Sequence, residues 1–222
     1  MKIVKLKRQM RFGVFETNSS STHTLTIAGK NNGKYFTVDP KDVPDDPVLA
    51  ALPGDNEVHV TLGQFGWECT AFNNAYDKLS YALTMVLMTE CNLRNHSEDK
   101  IYSIDEFKEK YDFYKTKGFN DINELIQTKL NCDGINIDNN LKINSFDKSD
   151  GSLYVYYDTD YYIDHGSCDE YSSLDDFLNE YGVTLEDFIF DKNIIVITKN
   201  DNMEEDEFGS IQQALKQQRY YQ

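Results

Sequence analysis

The spacing of the apolar residues changes twice along this chain, and that change limits its fold more than any other feature. Near the start Met10, Phe12 and Val14 alternate with Arg11, Gly13 and Phe15, and after a polar run His23, Leu25 and Ile27 alternate with Thr22, Thr24 and Thr26. A period of two is that of a half-buried strand. Gly29 to Gly33 reads as a turn and Tyr35 to Val38 as a returning strand, so an N-terminal hairpin is expected. All four prolines fall in residues 39–54, an irregular loop, and Glu57 to Leu62 is a further short alternating strand.

From Asn74 onward the spacing becomes helical. Tyr76, Leu79, Leu83, Val86 and Leu87 recur at steps of three and four, with Asn73 or Asn74 as the cap. Ser103 and Glu106 form a capping box that starts a second helix running to Gly118, and a third spans about Asp121 to Leu130 with Ile122, Leu125 and Ile126 on one face. Strands then return at Ile135 to Ile137, Leu141 to Ile143, Leu153 to Tyr157 and Tyr161 to Asp164. Ser173 caps a short helix that ends at Gly182, Thr184 starts another, and Ile194 to Ile197 is an apolar strand of the buried kind. The acidic stretch Asp201 to Glu207 is read as a solvated loop before a last helix from Ser210.

Strands, then helices, then strands again imply an α+β fold with a mostly antiparallel sheet, an N-terminal hairpin, three central helices and a C-terminal strand and helix region. No boundary divides the 222 residues, so one domain over residues 1–222 is expected.

Charge narrows the function classes. The 38 Asp and Glu outnumber the 22 Lys and Arg, for a formal net charge of −16. Residues 151–210 hold 16 acidic and two basic side chains, a net of −14, whereas residues 1–30 carry a net of +5. General nucleic-acid binding is disfavoured, because contacts to phosphate need cations. Either the two poles meet within the fold, or the acidic one is a face that docks on a basic partner surface. The acidic positions singled out for docking are Asp175, Asp176, Glu204, Glu205, Asp206 and Glu207.

The basic N-terminus is followed by no apolar run of signal-peptide length, and no segment approaches the ~18 apolar residues of a membrane span. Cys69, Cys91, Cys132 and Cys168 are too widely spaced for a zinc knuckle or a redox pair. Reduced thiols in a cytoplasmic protein, with no membrane association, are therefore expected.

Two polar clusters have residue types suited to chemistry. Thr17 to His23 offers Ser19, Ser20 and Ser21 as nucleophiles, with His23 as a base and Glu16 or Asn18 in support; the same run also reads as a plain polar loop. Asp158 to Glu170 holds Asp164 and His165 beside Ser167, at the end of a strand. Asp and His there are residue types that manganese, iron or zinc takes, but adjacent strand residues face opposite ways, so no metal site and no cofactor are assigned. Trp67, the one tryptophan, is either a ligand wall or core. Gly63 to Gly66 lacks the third glycine of a dinucleotide fingerprint.

Arg11 through His23, reading Arg-Phe-Gly-Val-Phe-Glu-Thr-Asn-Ser-Ser-Ser-Thr-His, resembles the N-terminal signature of a loose family of uncharacterised phage and bacterial proteins. Phe65 to Glu68 with Asp77 to Tyr81, and Tyr162 to Ser167, are similar to that family as well, although Gly166 stands where its pattern has a larger polar residue. The resemblance implies a phage or mobile-element setting, hence the host cytoplasm. It also implies that the two polar clusters belong to one site, and it supplies no activity.

The leading expectation is thus an acidic phage-type protein that binds a protein with a basic surface, such as a nucleic-acid-handling or defence complex. The alternatives are a hydrolase or transferase built from Ser19 to Ser21, His23, Asp164 and His165, and a virion or scaffold component.

Overall fold

Asn74 starts the first helix. Its backbone is extended and its side chain accepts the Asp77 N–H at 2.8 Å, satisfying one of the donors that every helix start leaves unpaired. Helix α1 (Ala75–Glu90) follows in the computed structural model, which describes residues 21–28, 49–50, 55–65, 70–91, 100–138, 141–158, 162–163 and 172–200.

The strands are β1 (Ser21–Ile27), β2 (Glu57–Val60), β3 (Gln64–Phe65), β4 (Thr70–Phe72), β5 (Gly134–Ile137), β6 (Lys142–Asp147), β7 (Leu153–Asp158), β8 (Tyr162–Ile163) and β9 (Ile194–Asn200). The remaining helices are α2 (Ile104–Lys110), α3 (Lys117–Leu130), α4 (Leu174–Tyr181) and α5 (Leu185–Phe190), with a 3-10 turn at Phe113–Lys115.

The α+β class is as the sequence implied, and of the five strand pairings among the described residues three are antiparallel. β9 lies between β1 and β4 in a three-stranded antiparallel sheet, and its Ile194 to Ile197 are buried. β6 and β7 form an antiparallel hairpin, whereas β2–β5 and β3–β8 are short parallel pairs. The returning strand expected at Tyr35 to Val38 lies outside the described residues. Within the described residues β1 is paired with β9, in a register running from Ser21 opposite Asn200 to Ile27 opposite Ile194.

α1 was expected to bury one stripe. It is buried nearly all round, with Leu79, Tyr81, Ala82, Leu83, Met85 and Val86 fully enclosed, as suits a helix at the centre of a core. Its polar residues hold the loop after β2: Ser80 Oγ donates to the Thr61 carbonyl at 2.7 Å, and the Thr61 and Gly63 N–H groups donate to Tyr76 Oη and Thr84 Oγ1, each at 3.1 Å. Lys78 is also fully buried, its ammonium donating to the Asp191 carbonyl at 2.9 Å. These bonds compensate the burial of polar atoms in the core.

The second helix stops at Lys110, short of the expected Gly118. Two side-chain acceptors divide the segment: Asp112 takes the Tyr114 N–H at 3.1 Å to start the 3-10 turn, and Thr116 takes the Phe119 N–H at 3.2 Å to start α3. Gly118 therefore opens α3, where it faces α1 so closely that a Cβ would run into Val86 and the Glu90 carboxylate. Ser103, Ser173 and Thr184 cap α2, α4 and α5 as anticipated, and Gly182 ends α4 with φ of 63°.

A smaller cluster sits apart from the main core. Ile101, Phe107, Tyr111 and Val155 pack together under the inner face of the β6–β7 hairpin. No helix among the described residues is long and apolar enough to cross a membrane.

Candidate functional site

Two polar regions stand out, one built around His59 and one on α3, α4 and α5. In β2 the alternation that buries Val58 and Val60 turns Glu57 and His59 to the other, partly exposed face. Asn56 has φ of 58°, the left-handed conformation Asn tolerates, and it reverses the chain so that Asp55 comes back over His59.

The neighbouring strand is set by α3. Asn123 Oδ1 accepts the Ile135 N–H at 2.9 Å, and Gln127 Nε2 donates to the Asp133 carbonyl at 2.6 Å. Gly134, with φ of 139°, lies between them at a point where a Cβ would meet Asn123 Oδ1 at 2.7 Å. β5 then runs parallel to β2 with Asn136 opposite His59, and the Asp138 N–H extends the ladder to the Val60 carbonyl at 3.0 Å.

This register brings Asp138 to His59. The ring nitrogens Nδ1 and Nε2 lie 2.7 Å from Asp138 Oδ1 and 2.7 Å from Asp55 Oδ2. A neutral ring has only one N–H to give, so two ionised carboxylates at that distance favour the doubly protonated imidazolium. The Asp138 hydrogen bond, and then that of Asp55, raises the His59 pKa above its ordinary value; the bond from His59 holds the Asp55 carboxyl below its own. Glu57 completes the group, its Oε2 accepting from Asn136 Nδ2 at 3.0 Å. One donor atom from each of Asp55, Glu57 and His59 falls within 4.8 Å of the others. Glu57 and His59 at a strand spacing of two, with Asp55 two residues before them, were the signal in the sequence for this group, and it went unread because the partner Asp138 is 79 residues from His59.

In the second region, apolar Leu174, Phe177, Leu178, Phe188 and Ile189 bury one side of α4 and α5, and Asp175, Asp176, Glu180, Glu186 and Asp187 are exposed on the other. Asp175 and Asp176 lie in the first turn of α4, where the positive end of the helix dipole favours them. Lys117 Nζ bridges Asp121 at 2.6 Å and Asp175 at 2.7 Å, which raises its pKa, and Lys129 meets Glu186 at 2.5 Å. Asp176 is bonded to the Ser172 hydroxyl. A cleft of about 150 Å³ runs between the end of α1, the start of α3 and α4, lined by Glu90, Lys117, Asp121, Leu174, Asp175 and Leu185. Burial raises the Glu90 pKa, while the Gly118 N–H donates to both its oxygens at 3.1 and 3.3 Å.

Of the residues singled out from the sequence, Glu16, Asn18, Ser19, Ser20, Trp67, Asp164, His165, Ser167 and Glu204 to Glu207 lie outside the described residues. Ser21 and His23 are in β1, opposite Asn200 and Thr198. β8, which directly precedes Asp164, pairs with β3 and so belongs to a different sheet from β1. Cys91, buried, and Cys132, partly buried, are free thiols. The chain matches no family model, no curated protein and no solved structure.

Proposed function

We propose that the chain is an acidic interaction protein, of a phage or mobile-element setting, that docks the outer face of α4 and α5 on a basic surface of a partner protein. The observation that carries this reading is the row of five exposed carboxylates on two successive helices. Two of them, Asp175 and Glu186, meet lysines of α3; the whole row belongs to the stretch of net charge −14. Such a face raises the rate of encounter with a basic partner and rejects acidic ones. A surface that ordinarily holds nucleic acid, in a host nucleic-acid-handling or defence complex, has the matching charge, and the acidic stretch Glu204 to Glu207 extends the same sign along the chain.

The test is capture of the partner from host extract by the tagged full chain over rising salt. Because the screening length shrinks from about 10 Å at 0.1 M to about 3 Å at 1 M, capture falls steeply over that range. It is lost when Asp175, Asp176 and Glu204 to Glu207 are changed together to their amides. Capture that ignores both salt and the amide substitutions sinks the proposal.

A further inference from the structure

We infer that Asp55, Glu57 and His59 form a binding site for a divalent transition-metal cation, with Asp138 as a positioning residue behind the histidine. This site is separate from the α4–α5 face and does not depend on the docking proposal. The three donor atoms already lie within 4.8 Å of one another, and the Nε2 to Oδ2 separation is 2.7 Å. Donors that share a tetrahedral zinc are about 3.3 Å apart, given metal–ligand bonds of about 2.0–2.1 Å, so small rotations of side chains that are partly exposed bring the set onto one ion.

What distinguishes this group from a chance meeting of acids is that two of its donors, His59 and Glu57, are each held by a residue 79 positions away, in or just after β5. Asp138 Oδ1 sits on His59 Nδ1, the arrangement in which a carboxylate fixes the imidazole tautomer and leaves Nε2 to face the metal. Asn136 holds one oxygen of Glu57 from the adjacent strand. The Glu57 N–H holds Oδ1 of Asp55 at 3.3 Å, while Oδ2 faces the ring. Three carboxylates around one imidazole also give the local field a dication needs.

The donor set decides the class of ion. Magnesium and calcium prefer all-oxygen shells, whereas one imidazole with two carboxylates suits manganese, iron or zinc. On binding, the cation takes the place of the proton on Nε2, which passes to solvent. The His59–Asp55 hydrogen bond is then replaced by two bonds to the same ion, and Nδ1–H keeps its bond to Asp138.

Isothermal titration of the metal-free full chain with Zn²⁺, Mn²⁺ and Mg²⁺ tests this. One saturable equivalent of Zn²⁺ or Mn²⁺ is expected, with Mg²⁺ at least about tenfold weaker. His59→Gln weakens binding by at least about 100-fold, Asp138→Asn by about 10- to 100-fold at unchanged stoichiometry, and Asp105→Asn, at an exposed residue of α2, not at all. Asp138→Asn, at an exposed residue beyond the end of β5, keeps the test decisive if His59→Gln does not fold. Absence of saturable Zn²⁺ and Mn²⁺ binding, Mg²⁺ binding of equal strength, or Asp138→Asn affinities within about threefold of the unmodified chain would each overturn the site.

Discussion

The main core and the cluster beneath the β6–β7 hairpin are both aromatic, but they are assembled in different ways. In the main core Tyr81 meets Phe65, Phe72, Phe177 and Phe188 at ring-centre distances of 5.1 to 6.4 Å, joining residues from both ends of the described chain. Under the hairpin Phe107 meets Tyr111 at 5.3 Å and Tyr157 at 5.5 Å, and every residue of the cluster falls between Ile101 and Tyr157. Tyr157 joins the two: its hydroxyl donates to the Tyr111 carbonyl at 3.0 Å and accepts the Phe113 N–H at 3.2 Å. Similar side chains therefore form one unit whose ring contacts reach from Phe65 to Phe188 and one confined to the single segment between Ile101 and Tyr157, the sort of division along which local opening occurs.

The largest test of that division is Tyr81→Ala. Deleting a ring with four aromatic neighbours costs about 3–5 kcal/mol and destabilises the whole fold, read as a lower urea midpoint. Phe107→Ala removes a ring of similar size, yet its loss of about 3 kcal/mol is expected mainly in amide-exchange protection of residues 101–158, with β9 changed far less. Equal loss of protection in β9 would show that the two clusters are one. Tyr157→Phe is smaller, about 1–2 kcal/mol, because it leaves the Phe113 N–H without its acceptor. It should also separate the opening of the hairpin from that of the core, as seen in exchange rates under mild urea.

Acid offers the finest distinction. Burial raises the Asp77 pKa above its ordinary 3.8, so the core's stability is fullest below 3.8 and declines as pH rises through that raised value. Asp150, in the hairpin turn, accepts from Ser152 Oγ at 2.5 Å and its N–H at 3.1 Å and pairs with Lys100 at 3.1 Å, which together hold its carboxyl well below the usual range. Its contribution is present above 3.8 and lost as pH falls through the lowered value. Taking pH from 5 towards 2 should therefore loosen the hairpin turn while relieving the start of α1. Amide exchange at both places reads this, and a shift of the same sign at both would contradict the assigned causes.

What the sequence disclosed follows the range of each interaction. Asn74, Ser103, Ser173 and Thr184 were legible as caps because a cap and its N–H are three residues apart. The end of α2 was not, although Asp112 and Thr116 act at the same short range, because no acidic residue stands three positions after either of them as it does after the other four caps. The pairing of β1 with β9 joins residues as far apart as Ser21 and Asn200, beyond any local pattern. The His59 group divides the same way: Asp55, Glu57 and His59 were in plain view as a spacing, while Asp138 arrives only through the parallel pairing of β2 with β5.

The position of β9 between β1 and β4 has a consequence for synthesis. A ribosome makes the two flanking strands first and the strand that joins them after every other described element. At about 5–20 residues per second, the unpaired edges of β1 and β4 are exposed for several seconds or more before their common neighbour emerges. Truncated or stalled chains that lack β9 would keep those edges open, and they are the species from which chaperone capture or strand-mediated aggregation is expected.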